Sequence, residues 1–495
     1  MRIRHLYLAI LLFLVASVSV SAKGWNNRLY RQIEKRIVTP AFPVRSFSIA
    51  DYGASTSASA KQNQRAINAA IQACSEAGGG RVIVPAGTWS TGALRLLSNV
   101  CLEVQQSATL LFAFEPELYP LVRTRWEGLD IMNYSPCIYA FEAENVAITG
   151  EGVIDGGGTK ETWWPWCGAE KYGFVPGVTK ESQNMPWEGE VRYVTDDNGT
   201  NAIMQSLPNR NTLLVMADAG VPVEERRFGM GHGMRPQLIQ FYDCKNVLLE
   251  GVTLLRSPFW VVHPVLSRNV TVRRCTIINN GPNGDGCDPE SCEDVLIEDC
   301  LFRTGDDCIA IKSGRNADGR RANRPSRNII IRHCRMEDGH GGVVIGSEIS
   351  GGVQNVFAHD CEMDSPNLDR ILRIKTNTCR GGVTEGIYMR HVRVGQCREA
   401  VMRINLNYDS KELSQRGFIP TVRKVYMEDV TCQKSKYGIL INGLENDSRV
   451  YDIHVSHCMF EGVTEEPVRM TGQSHDIHFK DLKINGEVIR YFVRN

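Results

Sequence analysis

Apolar and polar residues alternate in short bursts along the second half of the chain, and each burst opens on the same kind of residue. Asn246-Val-Leu-Leu-Glu is followed by Asn269-Val-Thr-Val-Arg-Arg-Cys, Asp294-Val-Leu-Ile-Glu-Asp-Cys, Asn328-Ile-Ile-Ile-Arg-His-Cys and Asn355-Val-Phe-Ala-His-Asp-Cys. More worn copies stand at Val425-Tyr-Met-Glu-Asp-Val, Asp452-Ile-His-Val-Ser-His-Cys and Asp476-Ile-His-Phe-Lys-Asp-Leu. Alternation at period two marks strands with one inward face, and the leading Asn or Asp marks the turn before each. Copies recur at roughly 23 to 38 residues, which is the mark of a solenoid. The units lack the helical periods of helical repeats and the motif of propeller blades, so the pattern predicts an all-β fold, a right-handed parallel β-helix. In such a stack neighbouring strands lie about 4.8 Å apart, so residues at equal places in successive coils become neighbours.

An exposed end of a solenoid needs a cover. Residues 62–77 carry apolar positions at Ile67, Ala70, Ile71 and Cys74 and run into Gly78-Gly79-Gly80, which predicts an N-terminal capping helix. Coils begin near Arg81 and pass through Asn145-Val-Ala-Ile-Thr-Gly. The repeat lapses over 159–235, a stretch with Trp163-Trp-Pro-Trp166, many Gly and Pro, and the polar Asp196-Asp197-Asn198-Gly199, and it is read as a long loop insertion over one face. The expected organisation is a lead segment over 23–45 and a single β-helix domain over 46–495.

Residues 1–22 change the picture of where the chain works. Arg2 and Arg4 precede an apolar run from about Leu6 to Val15 and small residues ending at Val20-Ser21-Ala22, the pattern of a signal peptide. Export to the periplasm or the extracellular space is expected, with no membrane span because no later run reaches about 18 apolar residues. Lys+Arg and Asp+Glu both total 56, so no general affinity for nucleic acid is expected. Sixteen cysteines in an exported chain ordinarily suggest disulfides. Here Cys275, Cys300, Cys334, Cys361 and Cys458 fall at one place in the repeat, so most are read as stacked, buried free thiols. No pair has zinc-ligand spacing, and neither a metal nor a cofactor is expected.

The candidate chemistry lies in four clusters on neighbouring coils: Asn283-Gly-Asp285-Gly, Gly305-Asp306-Asp307, Gly339-His340-Gly341 and Arg373-Ile374-Lys375. Asp285 and Asp307 are 22 residues apart, about one coil. Glycosidic cleavage needs one protonated carboxyl to donate to the leaving oxygen and one carboxylate to activate water or attack. Crowding of Asp285, Asp306 and Asp307 would raise the pKa of one of them, keeping it protonated while its neighbours stay ionised. Arg373 and Lys375 suit the carboxylate of a uronic acid, and His340 suits the acid or the substrate. Taken singly, each motif reads equally as a turn or a solvated face. Four of them in register on one solenoid face make a site. Trp163, Trp164, Trp166 and Trp260 are candidates for stacking on sugars or for core packing, and Ser257-Pro-Phe-Trp260-Val-Val-His263 together with the insertion would wall off one end of a groove. Spacing alone leaves retaining and inverting hydrolysis both open.

These four motifs, in this order on β-helix repeats, resemble the four signatures of glycoside hydrolase family 28, the polygalacturonases. The resemblance extends over nearly the whole mature chain, including Asp51-Tyr-Gly-Ala and Gly150-Glu-Gly-Val-Ile-Asp-Gly-Gly-Gly. It implies an inverting hydrolase in which Asp306 is the general acid, Asp285 and Asp307 activate water, and His340, Arg373 and Lys375 bind substrate and support the acid, with no metal. Asn283, Trp260, His263 and Tyr408 are further substrate-binding candidates, Tyr408 matching a family tyrosine that follows the basic motif. Gly284 departs from the family, many of whose members have Thr there; its small size would leave Asp285 in place and alter the neighbouring subsite. The implied partner is a pectic polysaccharide or oligogalacturonide, and the length of the insertion favours attack on chain ends. Alternatives are a rhamnogalacturonan-directed hydrolase of the same family, a pectate lyase, and a carbohydrate-binding β-helix without catalysis.

Overall fold

The computed structural model describes residues 24–194, 201–490 and 492–493. The leader expected over 1–22 and the stretch Asp196-Asp197-Asn198-Gly199 lie outside the described residues. The chain winds into a right-handed parallel β-helix with three strands to a coil, as in Lys245–Glu250, Thr253–Leu255 and Val262–Val265. The repeat that marks the sequence is the first of these strands. Its inward position stacks Val146, Val247, Val270, Val295, Ile329, Val356, Ile387, Val425, Ile453 and Ile477 in unbroken parallel register, and every one of them is buried.

The residues before each strand explain why Asn and Asp recur. Asn145, Asn246, Asn269, Asp294, Asn328 and Asn355 all have left-handed backbone with φ between 54° and 61°, a conformation that short polar side chains tolerate best after glycine. Their amides also form a ladder: Asn246 Nδ2 donates to Asn145 Oδ1 at 2.8 Å and Asn269 Nδ2 to Asn246 Oδ1 at 2.7 Å. Where the repeat reaches cysteine, the preceding residue is again left-handed, and the thiols of Cys275, Cys300, Cys334, Cys361 and Cys458 each donate to the carbonyl two residues back at 3.2 to 3.3 Å. All sixteen cysteines are buried and free.

The third wall of the coil carries the site. Leu94–Leu96, Ile138–Phe141, Ile239–Tyr242 and Val262–Val265 form its first part. Its second part is six strands: β1 Asp307–Ile311, β2 Gly341–Ile345, β3 Arg370–Lys375, β4 Ala400–Asn405, β5 Tyr437–Asn442 and β6 Val468–Thr471. Single bridges through Cys287 and Glu290 join the two parts.

Several elements had no counterpart in the sequence pattern. Helix α1, Asn27–Arg36, occupies the lead segment and buries Ile33 against Ile330, Phe357 and Tyr388 on the outside of the stack. The chain then straps across earlier coils: Arg36 pairs with Asp294 at 2.7 Å, Val38 exchanges two hydrogen bonds with the Asn269 side chain, and Phe42 covers Cys101, Ala147 and Leu248. The capping helix α2 runs over Ala60–Glu76, starting two residues before the expected position because Ser59 and Gln62 form a capping box. The insertion is more than loop: it holds an antiparallel hairpin, Glu190–Val194 with Asn201–Gln205, and helix α3, Asn209–Asp218. Leu213, Leu214 and Val215 of α3 share a satellite core with Trp126, Leu129 and Ile131 of a second hairpin, and with Phe259 and Trp260.

The thiol arrangement has a direct check. Protein purified without reductant, then unfolded and titrated with a thiol reagent, is expected to yield sixteen thiols per chain, and almost none before unfolding. Fewer than sixteen after unfolding would mean that a disulfide replaces part of the stack.

Candidate functional site

Coil register brings the three aspartates together. Gly286 N donates to Asp307 O at 2.9 Å, and His340 N donates to Asp306 O at 2.9 Å, so Asp285, the Asp306-Asp307 pair and His340 occupy three successive coils. One oxygen from each of Asp285, Asp306 and Asp307 lies within 4.8 Å of the other two. The glycines between them are there for space. At Gly339, with φ of 136°, a Cβ would stand 2.4 Å from Asp306 O, so a larger residue would push the His340 turn away from the acid. At Gly284 a Cβ would meet Gly281 O at 2.7 Å and Asn279 O at 2.8 Å. Backbone thus fills the volume beside Gly284, so a side chain there would displace the turn that carries Asp285.

The three carboxyls have different surroundings. Asp307 is wholly buried, yet Lys375 Nζ at 2.7 Å and Arg373 at 3.1 Å overcome the burial and hold its pKa well below the usual carboxylate range. Asp285, also buried, has none of these close donors. Burial first and the charges of Asp306 and Asp307 next push it up to about 7, against the opposing pull of Lys312. Asp306 stands at the groove surface, and its Oδ1 lies 2.9 Å from Nδ1 of the half-exposed His340, whose pKa the hydrogen bond raises. The carboxyl that the surroundings push up is thus Asp285, which the family resemblance makes a base.

Behind Asp285 lies a buried group that sequence reasoning missed. Lys312 Nζ sits 3.4 Å from Asp285, 3.5 Å from Asp288 and 3.3 Å from Glu348, with the Trp260 ring centroid 4.3 Å away. Burial opposes its charge, but Glu348, Asp285 and Asp288 outweigh it and hold it protonated. Asp288 is fully buried between Lys312 and Asp285, and burial first and then Asp285 raise its pKa well above the usual value. The signal for Lys312 was present, since a lysine closes the strand Asp307-Cys-Ile-Ala-Ile-Lys312 in register with Gly346 and Lys375. Glu127, Arg210, Arg315 and Arg380 also reach the pocket of about 220 Å³ that Asp285 and Asp306 line. Arg315 pairs with Glu127 and Glu412 at 2.8 Å, and Arg210, from α3, with Glu127 at 3.1 Å. These come from the insertion, the second hairpin and later loops, which share no repeat register with the trio.

The remaining candidates separate clearly. Tyr408 lines the pocket, its ring centroid 5.6 Å from the Arg373 guanidinium and 5.3 Å from Lys375 Nζ. Asn283 lines it too, its Oδ1 accepting from buried Arg235 at 2.7 Å. Arg373 and Lys375 line it while clamping Asp307. His263 is corrected: it is wholly buried, held by Gln240 at 3.1 Å and by Glu290 at 2.9 Å, and does not line the pocket. Trp163 and Trp166 are core residues packed with Phe114 and Tyr134, and the Trp164 indole is pinned by its bond to Ser257 O at 3.0 Å. Trp260 borders the pocket, but it is almost fully buried and one face covers Lys312, leaving little of the ring for a sugar.

Residues 229–466, which contain all four motifs, match the sequence profile described as Glycosyl hydrolases family 28. A hyperthermoactive exopolygalacturonase from Thermotoga maritima has 40% sequence identity to this chain and a TM-score of 0.83, over 94% of this chain and 96% of that one. The chain belongs to glycosyl hydrolases family 28. An exo-poly-alpha-D-galacturonosidase from Dickeya chrysanthemi is 25% identical over 415 residues, 79% of this chain and 64% of that protein. A probable polygalacturonase from Vitis vinifera is 28% identical over 382 residues, 75% of this chain and 65% of that protein. The chain therefore spans a little under two thirds of the length of these two curated relatives. A family 28 exopolygalacturonase from Yersinia enterocolitica shares the fold at 22% identity, with a TM-score of 0.64 over 90% of this chain and 79% of that one.

Lys312 is expected to lower the pKa of Asp285, which gives a test independent of any assigned role. Replacing Lys312 with Met should move a titration near pH 7 to higher pH, readable by carboxyl infrared difference spectra. Unchanged spectra would mean that the ammonium at 3.4 Å exerts no effect on Asp285.

Proposed function

We propose that this protein is an exported, exo-acting pectic hydrolase that removes galacturonate from chain ends with inversion. The observation that carries the reading is three carboxyls within 4.8 Å of one another, beside two cations and in a groove walled on one side. The 40% identity to the Thermotoga maritima exopolygalacturonase supports the exo assignment. So does the wall, in which α3 and the second hairpin pack on Phe259 and Trp260 and present Arg210 and Glu127 to the pocket. The leader-like residues 1–22 support export to the periplasm or beyond, and no described helix is long and apolar enough to cross a membrane.

The roles proposed are those the family resemblance implies, adjusted to the surroundings of each carboxyl. Asp306, at the groove surface beside His340, gives its proton to the glycosidic oxygen as the bond from the anomeric carbon to that oxygen breaks. Asp285 takes a proton from water as the water oxygen bonds to the anomeric carbon. A base with pKa near 7 is well matched to this step, whereas Asp307, held far below, is a weak base and serves as a fixed anion. One turnover thus moves the trio's single proton from Asp306 to Asp285 and leaves the proton count unchanged. Asp285 carries the proton after hydrolysis, and the proton returns over the 4.8 Å or less between the carboxyls before the next cycle. Arg373 and Lys375, with Tyr408 over both, present their free donors to the substrate carboxylate next to the scissile bond.

Three outcomes are expected. Wild type should release one small acidic sugar steadily from polygalacturonate, and Asp306→Asn should cut the rate by roughly 10²- to 10⁴-fold, the usual worth of a positioned acid. A ladder of intermediate oligomers in chromatography would contradict the exo reading, and release only from rhamnogalacturonan would redirect the substrate. Activity should fall as pH rises through about 7, because the trio then loses its one proton. A rate that stays flat to pH 9 would contradict the shared-proton scheme. NMR of the first-formed product should show the β-anomer from the α-linked substrate, and the α-anomer would refute inversion.

A further inference from the structure

The wall of strands β1 to β6 continues past the trio toward the C-terminus, and the residues it turns outward have a pattern that the chemistry above does not use. In β3 and β4, Leu372, Ile374, Met402 and Ile404 point inward and are buried, so Arg373, Lys375, Arg403 and Asn405 point into the groove. Parallel register places Arg403 directly beyond Arg373, then Leu440, then Arg469. The adjacent row runs Lys375, Asn405, Asn442 and Thr471. Its polar members are linked, Asn442 Nδ2 donating to Asn405 Oδ1 and Thr471 Oγ1 to Asn442 Oδ1, both at 3.1 Å.

Arg403 differs from the other groove cations. Arg373 and Lys375 both pair with Asp307, Lys312 lies among Glu348, Asp285 and Asp288, and Arg370 pairs with Glu399 and Asp369. Arg403 makes no hydrogen bond or ion pair with any described residue, although it is half-buried. Arg469 has only a 3.9 Å approach to Glu466. Burial lowers the pKa of Arg403, and the charges of Arg370, Arg373 and Arg469 act in the same direction, with Glu399 alone opposing. A half-buried guanidinium among like charges stands in an unfavourable potential that an anion would relieve. The strand spacing puts Arg403 about 4.8 Å beyond Arg373, and Arg469 about 10 Å beyond Arg403.

We propose that Arg403, with Arg469 farther along, forms a second uronate-binding subsite that grips the leaving part of the chain one or more sugars past the scissile bond. The cationic row takes carboxylates, while the row of Asn405, Asn442 and Thr471 beside it takes hydroxyls. This inference rests on the galacturonate-hydrolase reading given above and adds to it a preference for chain length.

The test compares wild type and Arg403→Gln on digalacturonate, trigalacturonate and tetragalacturonate, reading kcat/KM for each. A dimer cut at its end reaches only Arg373 and Lys375, whereas a trimer reaches Arg403. The ratio of kcat/KM for trimer to that for dimer is expected to fall roughly tenfold in Arg403→Gln, mostly through KM, and to recover in part in Arg403→Lys, which keeps the charge. Arg469→Gln is expected to lower the values for longer oligomers relative to trimer. The wild-type ratio should also decline with added salt. An active enzyme whose trimer-to-dimer ratio is the same in Arg403→Gln overturns the subsite alone. A wild type inactive on every galacturonate oligomer overturns the underlying reading, and the subsite with it.

Discussion

Hydrogen bonds from coil to coil keep strands about 4.8 Å apart, and that single spacing decides which side chains can meet. Asp285, the Asp306-Asp307 pair and His340 are remote in sequence, yet backbone bonds of 2.9 Å between their coils make them adjacent. A slip of one residue in any of these coils would turn its side chains from the groove to the core. The buried rows of valine, isoleucine and cysteine, the left-handed Asn and Asp before each strand, and the strap of residues 24–45 all serve to keep that register.

Register also creates an electrostatic problem, because it forces three carboxyls within 4.8 Å of one another. The molecule resolves it unequally. Asp307 receives two cations and is fully ionised; Asp285 shares one buried lysine with two other acids and lies near the edge of neutrality; Asp306 faces the solvent and a histidine. Three residues of one type thereby acquire three chemical characters through their partners. Lys312 and Asp288 belong to this scheme as much as the trio does, since the ammonium opposes the rise in the Asp285 pKa and Asp288 lies against that same ammonium.

The fold was legible because solenoid periodicity is written in local sequence. Asn or Asp at the left-handed turn and alternation through the strand need no knowledge of distant residues, and the four motifs follow from counting coils. What escaped the sequence had no period. The helix of the lead segment, the hairpin ending at Tyr134 and the fold of 159–235 meet the coils through contacts set by the tertiary structure alone. His263 was misread because its neighbours in sequence, Trp260 and Val262, suggested a groove wall, whereas Gln240 and Glu290 from other coils close over it. The tryptophans of 163–166 were ambiguous for the same reason: aromatic residues serve cores and sugar sites alike, and only Phe114 and Tyr134 beside them settle the matter. Lys312 lay within reach, since register with Lys375 places it at the groove floor.

The central claim is that the trio keeps one proton near neutral pH and that Asp285 carries it when no substrate is bound. Carbon-13 NMR of aspartate carboxyls, recorded across pH in wild type and in Asp285→Asn, tests this most directly. One carboxyl signal should titrate near pH 7 in wild type and vanish in the variant, while the Asp307 signal stays at its ionised position down to low pH. Complete ionisation of all three aspartates by pH 5 would contradict the account.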